Sequence, residues 1–169
     1  MGRLGFVGLI CSGVSLSLII ISMAIPYWVR REDLYNDRPV VKFSGLWMSC
    51  MMYKDRKEAI CYESKEVLEF KLAVRKFVLM GLFLVAFAAI LKIIHLFVRK
   101  ENQNISVLAG VIAIAAGTYM LIAVVIFAGR RHVLFETKTF DYHVGFALAV
   151  IAGIVAVVSG VMFIVGKSN

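Results

Sequence analysis

Long runs without a charged residue divide the chain into four apolar blocks. No charged residue lies between Arg3 and Arg30, and none lies between Asp141 and Lys167. A helix that crosses a membrane needs about 20 mostly apolar residues. The first block is longer than the hydrophobic region of a signal peptide, so we expect it to remain as an anchor. The pattern predicts four membrane-spanning helices, at residues 4–27, 74–97, 105–128 and 144–165.

The second predicted span differs from the others at both ends. At its start, Phe70, Val74 and Phe77 recur at helical spacing after Ser64, a candidate cap. We therefore expect this helix to begin outside the membrane. Near its other end lies Lys92, and a lysine at the centre of a span costs about 2.5–3.5 kcal/mol. We expect the flexible Lys92 side chain to extend to the polar membrane boundary, which lowers this cost.

Composition agrees with a membrane protein and excludes an ordinary soluble domain. Of the 169 residues, 61% are hydrophobic and 18% are charged, and the mean hydropathy is +0.86. Soluble domains average about 45–50% apolar and about 25% charged residues. The net charge of +8 by itself suggests a nucleic-acid partner. However, residues 28–73 hold eight of the 11 acidic residues beside nine basic ones, so we expect a lipid bilayer as partner and no nucleic acid.

Two signals conflict over the side of the membrane that the long loop at residues 28–73 occupies. Four spans place both termini on one side and the loops at residues 28–73 and 129–143 on the other. Cytosolic loops carry an excess of lysine and arginine, and the nine in residues 28–73 favour the cytosol. Cys50 and Cys61 lie in the same loop, and disulfides persist in oxidising compartments. We follow the cysteines and predict two extracellular loops and cytosolic termini.

The two loop cysteines flank a predicted β-hairpin turn. Residues 40–52 are rich in β-branched and aromatic side chains, residues 53–58 are polar, and residues 59–62 are again apolar. This pattern predicts two strands joined by a short turn. Cys50 and Cys61 would then face each other, and a bridge between them would contribute about 3 kcal/mol. The alternative is two unpaired surface thiols, which are uncommon outside the cell.

The sequence offers no recognised set of catalytic or metal-binding residues. His95, His132 and His143 are scattered, and the chain has no His-x-x-x-His or Cys-x-x-Cys pair. Zinc sites and thiol redox sites use such spacings. No Asp or Glu lies inside a predicted span, although transporters use such groups to carry protons. We therefore expect no enzyme activity, no metal and no cofactor.

Small residues recur at every fourth position in the last two predicted spans. They are Ala109, Ala113 and Gly117 in the third span and Gly145, Ala149 and Gly153 in the fourth. Rows of this kind let helix backbones approach closely in lipid. We expect these rows to pack the helices of one chain together. The alternative is that they join two copies.

One segment of the long loop resembles a known family. Residues 45–50 read Gly-Leu-Trp-Met-Ser-Cys, with Trp28 upstream and Cys61 downstream. This arrangement resembles the first-loop signature of the claudins, whose superfamily includes peripheral myelin, epithelial membrane and lens fibre membrane proteins and channel γ subunits. Residues 24–28, 61–64, 72–75 and 140–145 resemble the family at the span boundaries. Only residues 166–169 follow the last predicted span, so we do not expect the scaffold binding of a typical claudin.

The resemblance implies a membrane all-α fold, with residues 1–169 as a single claudin-like domain. The expected architecture is a left-handed bundle of four transmembrane helices with a small extracellular antiparallel β-sheet. The disulfide Cys50–Cys61 would join two strands of this sheet. The residues expected to anchor the sheet on the bundle are Trp28, Gly45, Leu46 and Trp47. Arg75 would lie beneath the sheet, and Asp141 is a candidate partner for its charge.

Residues beside the predicted hairpin turn are candidates for contact with a partner molecule. They are Met51, Met52, Lys54, Asp55 and Arg56. The two methionines are apolar at a position where water is expected, and exposed apolar clusters often mark contact sites. The charged residues would line a paracellular path or contact a neighbour. The alternative is that the turn is only solvated.

The expected function is that of a structural plasma-membrane protein at cell–cell junctions. As in claudins, the extracellular sheet would form or modulate a paracellular barrier or pore. Other copies of the chain would bind in the same membrane or across the gap between cells, and other claudin-like proteins are further candidate partners. Two alternatives remain at this point: an accessory γ-like subunit of a channel or receptor, and a membrane organiser of the myelin or epithelial type.

Overall fold

The predicted spans are α-helices. A computed structural model of the chain describes residues 3–35, 38–54, 59–63, 69–98, 102–129 and 141–166. Within these ranges the helices are α1 (Arg3–Ala24), α2 (Glu69–Phe97), α3 (Gln103–Gly129) and α4 (Val144–Val165). Each is long and apolar enough to cross a membrane. The chain is therefore a multi-pass membrane protein, as the hydrophobic pattern predicts.

The helix ends agree with the sequence prediction except at α1. Helix α4 coincides with the predicted span at residues 144–165, and α2 begins at Glu69, before the predicted span, as expected. The candidate cap Ser64 lies outside the described residues. Helix α1 ends at Ala24 and not at the predicted residue 27. Pro26 explains the difference, because a proline disfavours helical geometry at the residue before it.

The segment between α1 and α2 forms most of an antiparallel β-sheet. Its strands are β1 (Val29–Tyr35), β2 (Arg38–Ser44), β3 (Met48–Tyr53) and β4 (Ala59–Glu63), and β5 (Asp141–Tyr142) precedes α4. The strand order in the described sheet is β4-β3-β2-β1-β5. Strand β4 is therefore one edge, and the short strand β5, which pairs with β1, is the other.

The prediction of one continuous strand at residues 40–52 was wrong. This stretch divides into β2 and β3 at a tight turn, where the Gly45 N–H donates to the Met48 carbonyl oxygen at 2.9 Å. The turn also lies against the end of α1, where a Cβ on Gly45 would come within 2.6 Å of Pro26 Cα. Alternating hydrophobicity does not reveal such a turn, because the residues on both sides of it are equally suited to strands.

Glycines bring α3 and α4 into close contact within one chain. A Cβ on Gly117 would come within 2.6 Å of the Gly153 carbonyl oxygen. About two helical turns away along the same pair of antiparallel helices, a Cβ on Gly110 would come within 2.7 Å of the Gly160 carbonyl oxygen. The small-residue rows therefore serve intramolecular helix packing, as the sequence predicts. Gly145 differs from the other glycines of the rows, because a Cβ on it would meet Trp28 and not α3.

Serine side chains join α1 to α4. Ser12 and Ser159 share a hydrogen bond of 2.6 Å between their hydroxyl oxygens. Ser15 donates to the Ala152 carbonyl oxygen at 2.9 Å, and Ser22 donates to the Gly145 carbonyl oxygen at 2.7 Å. Interhelical hydrogen bonds in lipid contribute about 0.6–2 kcal/mol each. The first and last helices are thus held together by polar contacts along their length.

Lys92 does not extend outward from the bundle, so the expectation drawn from the sequence was wrong. Its side chain points into the bundle and is 1% exposed. The Lys92 ammonium group donates to the Ser106 hydroxyl of α3 and lies 5.2 Å from the centre of the Phe163 ring of α4. Gly5 of α1 leaves room beside it, since a Cβ there would come within 3.2 Å of Lys92 Nζ. Lys92 therefore lies where all four helices meet.

Candidate functional site at the sheet and its junction with the bundle

A disulfide joins the two strands at one side of the sheet. Cys50 of β3 pairs directly with Cys61 of β4 in the strand register, and the two sulfur atoms are bonded. The structure therefore confirms the predicted bridge. Cys11 is a free cysteine within α1. The bridge holds β4, an edge strand that would otherwise pair only with β3 in the described sheet.

Trp28 lies at the junction between the sheet and three helices. Its side chain is 0% exposed, and its indole N–H donates to the Ser22 carbonyl oxygen of α1 at 2.7 Å. Its ring packs edge-on against Phe127 of α3, with 5.0 Å between ring centres. The Trp28 backbone N–H donates to the Ser44 carbonyl oxygen of β2. A Cβ on Gly145 would come within 2.6 Å of the Trp28 ring, so α4 also fits closely against it.

The β2–β3 turn packs against the bundle through Leu46. Leu46 is buried and belongs to the same hydrophobic cluster as Trp28, Val74 and Val78. Gly45, its neighbour, lies against the backbone of the α1 end with no room for a side chain. The turn is thus held by one apolar side chain and one close backbone contact.

Arg75 of α2 binds the same turn from below. Its Nε donates to the Leu46 carbonyl oxygen at 2.8 Å, and its guanidinium carbon lies 4.5 Å from the centre of the Trp47 ring. Trp47 itself is 37% exposed. The suggested ion pair with Asp141 is absent from the described structure, because Asp141 lies exposed on β5 beyond β1.

Lys71 is a second buried cation beneath the sheet, and the sequence analysis did not single it out. It lies one turn before Arg75 on α2, and its ammonium group donates to the Ser44 hydroxyl at 3.0 Å. Ser44 in turn lies 3.3 Å from the Ser49 hydroxyl. The spacing of four residues between Lys71 and Arg75 was the available signal, because residues i and i+4 share a helix face.

The candidate contact residues beside the hairpin turn are only partly described. Met51 and Met52 are half-buried in β3, whereas Asp55 and Arg56 lie outside the described residues. Lys54 is exposed and forms an ion pair of 2.8 Å with Glu32. Arg30 also forms an ion pair with Glu32, at 3.0 Å. The Lys54 hydrogen bond and charge, with a smaller effect of Arg30, hold the pKa of Glu32 below its usual value. Exposed pairs of this kind contribute little stability.

The edge strand β4 presents apolar side chains that the sequence analysis did not identify as contacts. Ile60 and Tyr62 lie two residues apart, on one face of the strand, and both are more than half exposed. Trp47 and Met48 of the preceding turn and strand are also exposed. Within the described ranges no group of three His, Cys, Asp or Glu residues is placed to hold a metal ion. The exposed side chains of β4 and of the β2–β3 turn thus form an apolar surface suited to binding.

The contacts of Arg75 predict a measurable loss of stability in Arg75→Ala. The substitution removes a charge-assisted hydrogen bond to a buried carbonyl group, and such bonds contribute about 1.5–3 kcal/mol. We expect a lower thermal unfolding midpoint in detergent and reduced delivery to the cell surface. The control is Lys76→Ala, which changes an exposed cation at the next position of α2. An Arg75→Ala protein that matches wild type in both measurements would contradict a structural role for this residue.

Comparison with known families agrees with this geometry. The sequence profile of the PMP-22/EMP/MP20/Claudin family matches residues 3–163, which include all five described strands and nearly all of the four helices. No curated protein matches the chain. The family resemblance first seen in residues 45–50 therefore extends over almost the whole sequence.

Proposed function

Because this chain belongs to the PMP-22/EMP/MP20/Claudin family, we propose that it is a structural protein of cell–cell contacts that forms or modulates a paracellular barrier or pore. The sheet would carry this role, and the helices would hold it at the membrane surface. The observation that supports the proposal most directly is the exposed apolar edge of the sheet at Ile60 and Tyr62. Exposed apolar side chains on an edge strand favour association with another chain.

We further propose that the sheet lies outside the cell and that both termini lie in the cytosol. The bridge between Cys50 and Cys61 supports this orientation, because such bonds persist in oxidising compartments. The basic residues of the loop speak against it by the positive-inside rule. Some of them are engaged in the fold, however: Lys71 binds the underside of the sheet, and Lys54 and Arg30 pair with Glu32. The structural contacts of these residues give them a role that does not depend on the side of the membrane.

The proposed role is tested in cells that lack tight junctions. We expect the tagged protein to be enriched where two expressing cells touch, compared with contacts between an expressing and a non-expressing cell. In an epithelial monolayer it should also change the transepithelial resistance. The double variant Ile60→Ser with Tyr62→Ser should lose both effects while still reaching the surface. The control is Leu72→Ser, which removes an exposed apolar side chain from α2.

Uniform surface staining with unchanged resistance would overturn the junctional role. That result would favour the accessory role, in which the bundle binds a channel or receptor in the same membrane. Enrichment that survives the Ile60 and Tyr62 substitutions would show that the β4 edge is not the contact surface.

A further inference from the structure

The ammonium group of Lys92 has few hydrogen-bond acceptors among the described residues. A lysine ammonium has three N–H donors and accepts none. Within the described residues Lys92 makes one such bond, to the Ser106 hydroxyl, whose own proton is donated to the Phe163 carbonyl oxygen at 2.7 Å. No carboxylate in the described structure contacts it. Charged residues inside a span normally face a partner or a functional site, because an isolated buried charge is costly.

A second buried basic group lies next to Lys92. His95 is 8% exposed, and its Nδ1 atom has no hydrogen-bond partner in the part of the chain that the structure describes. His95 follows Lys92 by three residues, so both lie on one face of α2, with His95 nearer the helix end at Phe97. A polar ring atom that is buried without a partner is uncommon in folded proteins. Among the described residues, Lys92 thus has unused N–H donors and His95 has an unpartnered ring nitrogen at the same end of the bundle.

The depth of Lys92 places it within reach of the lipid headgroups. Helix α2 ends at Phe97, and a rise of 1.5 Å per residue puts Lys92 about 7.5 Å from that end. The sequence adds Arg99 and Lys100 directly after the helix, with Glu101 as the nearest acidic residue. Basic pockets between helices at this depth are suited to anionic headgroups.

The interface between α1 and α2 is the side of the bundle from which a headgroup would approach Lys92. Gly5 of α1 has no side chain at the point where it faces the Lys92 ammonium group. The packing between α1 and α2 is also much less extensive than that between α1 and α4. A headgroup that approaches between α1 and α2 would therefore meet Lys92 and His95 at the less extensive of these two interfaces, with Leu96 as the large side chain beside Gly5.

We propose that Lys92 and His95 bind the phosphate group of an anionic lipid in the leaflet next to the chain termini. Phosphate oxygens would accept the spare N–H donors of Lys92 and a proton of the His95 ring. Ser106 would hold the lysine in place from the opposite side. The proposal concerns the end of the bundle opposite the sheet, and it does not depend on the junctional role.

The test uses native mass spectrometry of the full chain in detergent, with phosphatidylinositol 4-phosphate as probe and phosphatidylcholine as neutral comparison. Wild type should retain the phosphoinositide about tenfold more than phosphatidylcholine. Lys92→Met and His95→Phe should each abolish this preference. Lys76→Met is the matched control, because it removes an exposed lysine at the other end of the same helix and should bind like wild type. Inorganic phosphate at millimolar concentration should not displace the lipid.

A thermal measurement separates lipid binding from a purely structural role of Lys92. In lipid-free detergent, Lys92→Met should unfold at the same temperature as wild type or higher, because it removes a buried charge that has no counter-charge among the described residues. A lower midpoint combined with an unchanged lipid preference would overturn the proposal. Equal retention of the two lipids by wild type, or full displacement by inorganic phosphate, would overturn it as well. If Lys92→Met does not fold, the lipid preference of His95→Phe tests the proposal, and a preference equal to that of wild type would overturn it.

Discussion

Trp28→Ala should lower the free energy of unfolding by about 3–5 kcal/mol, the usual cost of truncating a buried tryptophan. The expectation follows from its position, since Trp28 is fully buried where the end of α1 meets the sheet, α3 and α4. The substitution would leave a cavity beside Phe127 and would leave the Ser22 carbonyl oxygen without its indole donor. We expect the sheet of the variant to separate from the helix bundle at temperatures at which wild type stays folded.

The chain supplies its own control for this prediction. Trp47 is the second of the two tryptophans, and it is 37% exposed. Its replacement by alanine removes a ring that lies over Arg75 but leaves no enclosed cavity, so it should cost about 0.5–1 kcal/mol. Size-exclusion chromatography after heating, with a fluorescent tag, measures the unfolding midpoint of both variants. Equal midpoints for Trp28→Ala and Trp47→Ala would contradict the proposed structural importance of Trp28.

Removal of the disulfide should cost about 3 kcal/mol, because the bridge closes a short loop and so limits the unfolded chain. The two bonded cysteines are 11 positions apart in the sequence. Without the bond, β4 depends on its pairing with β3 alone in the described sheet, and an isolated two-stranded hairpin is marginally stable in water. The double variant Cys50→Ser with Cys61→Ser should therefore be cut by proteases in the loop at conditions where wild type resists.

Cys11→Ala is the matched control for the disulfide variant. It removes the free cysteine of α1 and leaves the bridge intact, so its protease resistance should match that of wild type. Reduction of wild type should reproduce the behaviour of the double variant. Mass spectrometry of protein from intact cells should also find the peptide that links Cys50 to Cys61. Its absence would contradict both the stabilising role of the bridge and the proposed orientation of the sheet.

Sequence alone could predict the helices and the disulfide bridge, but it could not predict where one strand of the sheet ends and the next begins. Helical spans of about 20 apolar residues are evident from hydropathy, and α4 coincides with its predicted range. The turn at Gly45 depends instead on contact with Pro26, which is distant from it in sequence and close in space. Strand β5 likewise depends on a pairing of Asp141 with Arg30 that crosses most of the chain. Local patterns do not encode such long-range contacts.

The hydrogen-bond partners of the buried cations Lys92 and Arg75 could likewise not be predicted from local sequence patterns. Lys92 lies near a span end, a position where lysine commonly extends to the boundary, yet its side chain turns inward because Gly5 leaves space there. Arg75 was expected to lie beneath the sheet, and it does, but its acceptor is the Leu46 backbone instead of a carboxylate. The sequence shows which residues carry charge, whereas the choice of acceptor depends on how the turn at residues 45–47 folds.

The serine contacts between α1 and α4 set an order for the assembly of this protein. Chains are synthesised from the N-terminus, so Ser12, Ser15 and Ser22 enter the membrane before α4, which carries all their interhelical partners. Until α4 arrives, these hydroxyls lack the partners that they have in the complete bundle, and a serine hydroxyl in a helix can bond to its own helix backbone instead. Closure of the bundle must therefore await the last helix, and a chain that stalls before residue 144 would leave a polar stripe facing lipid.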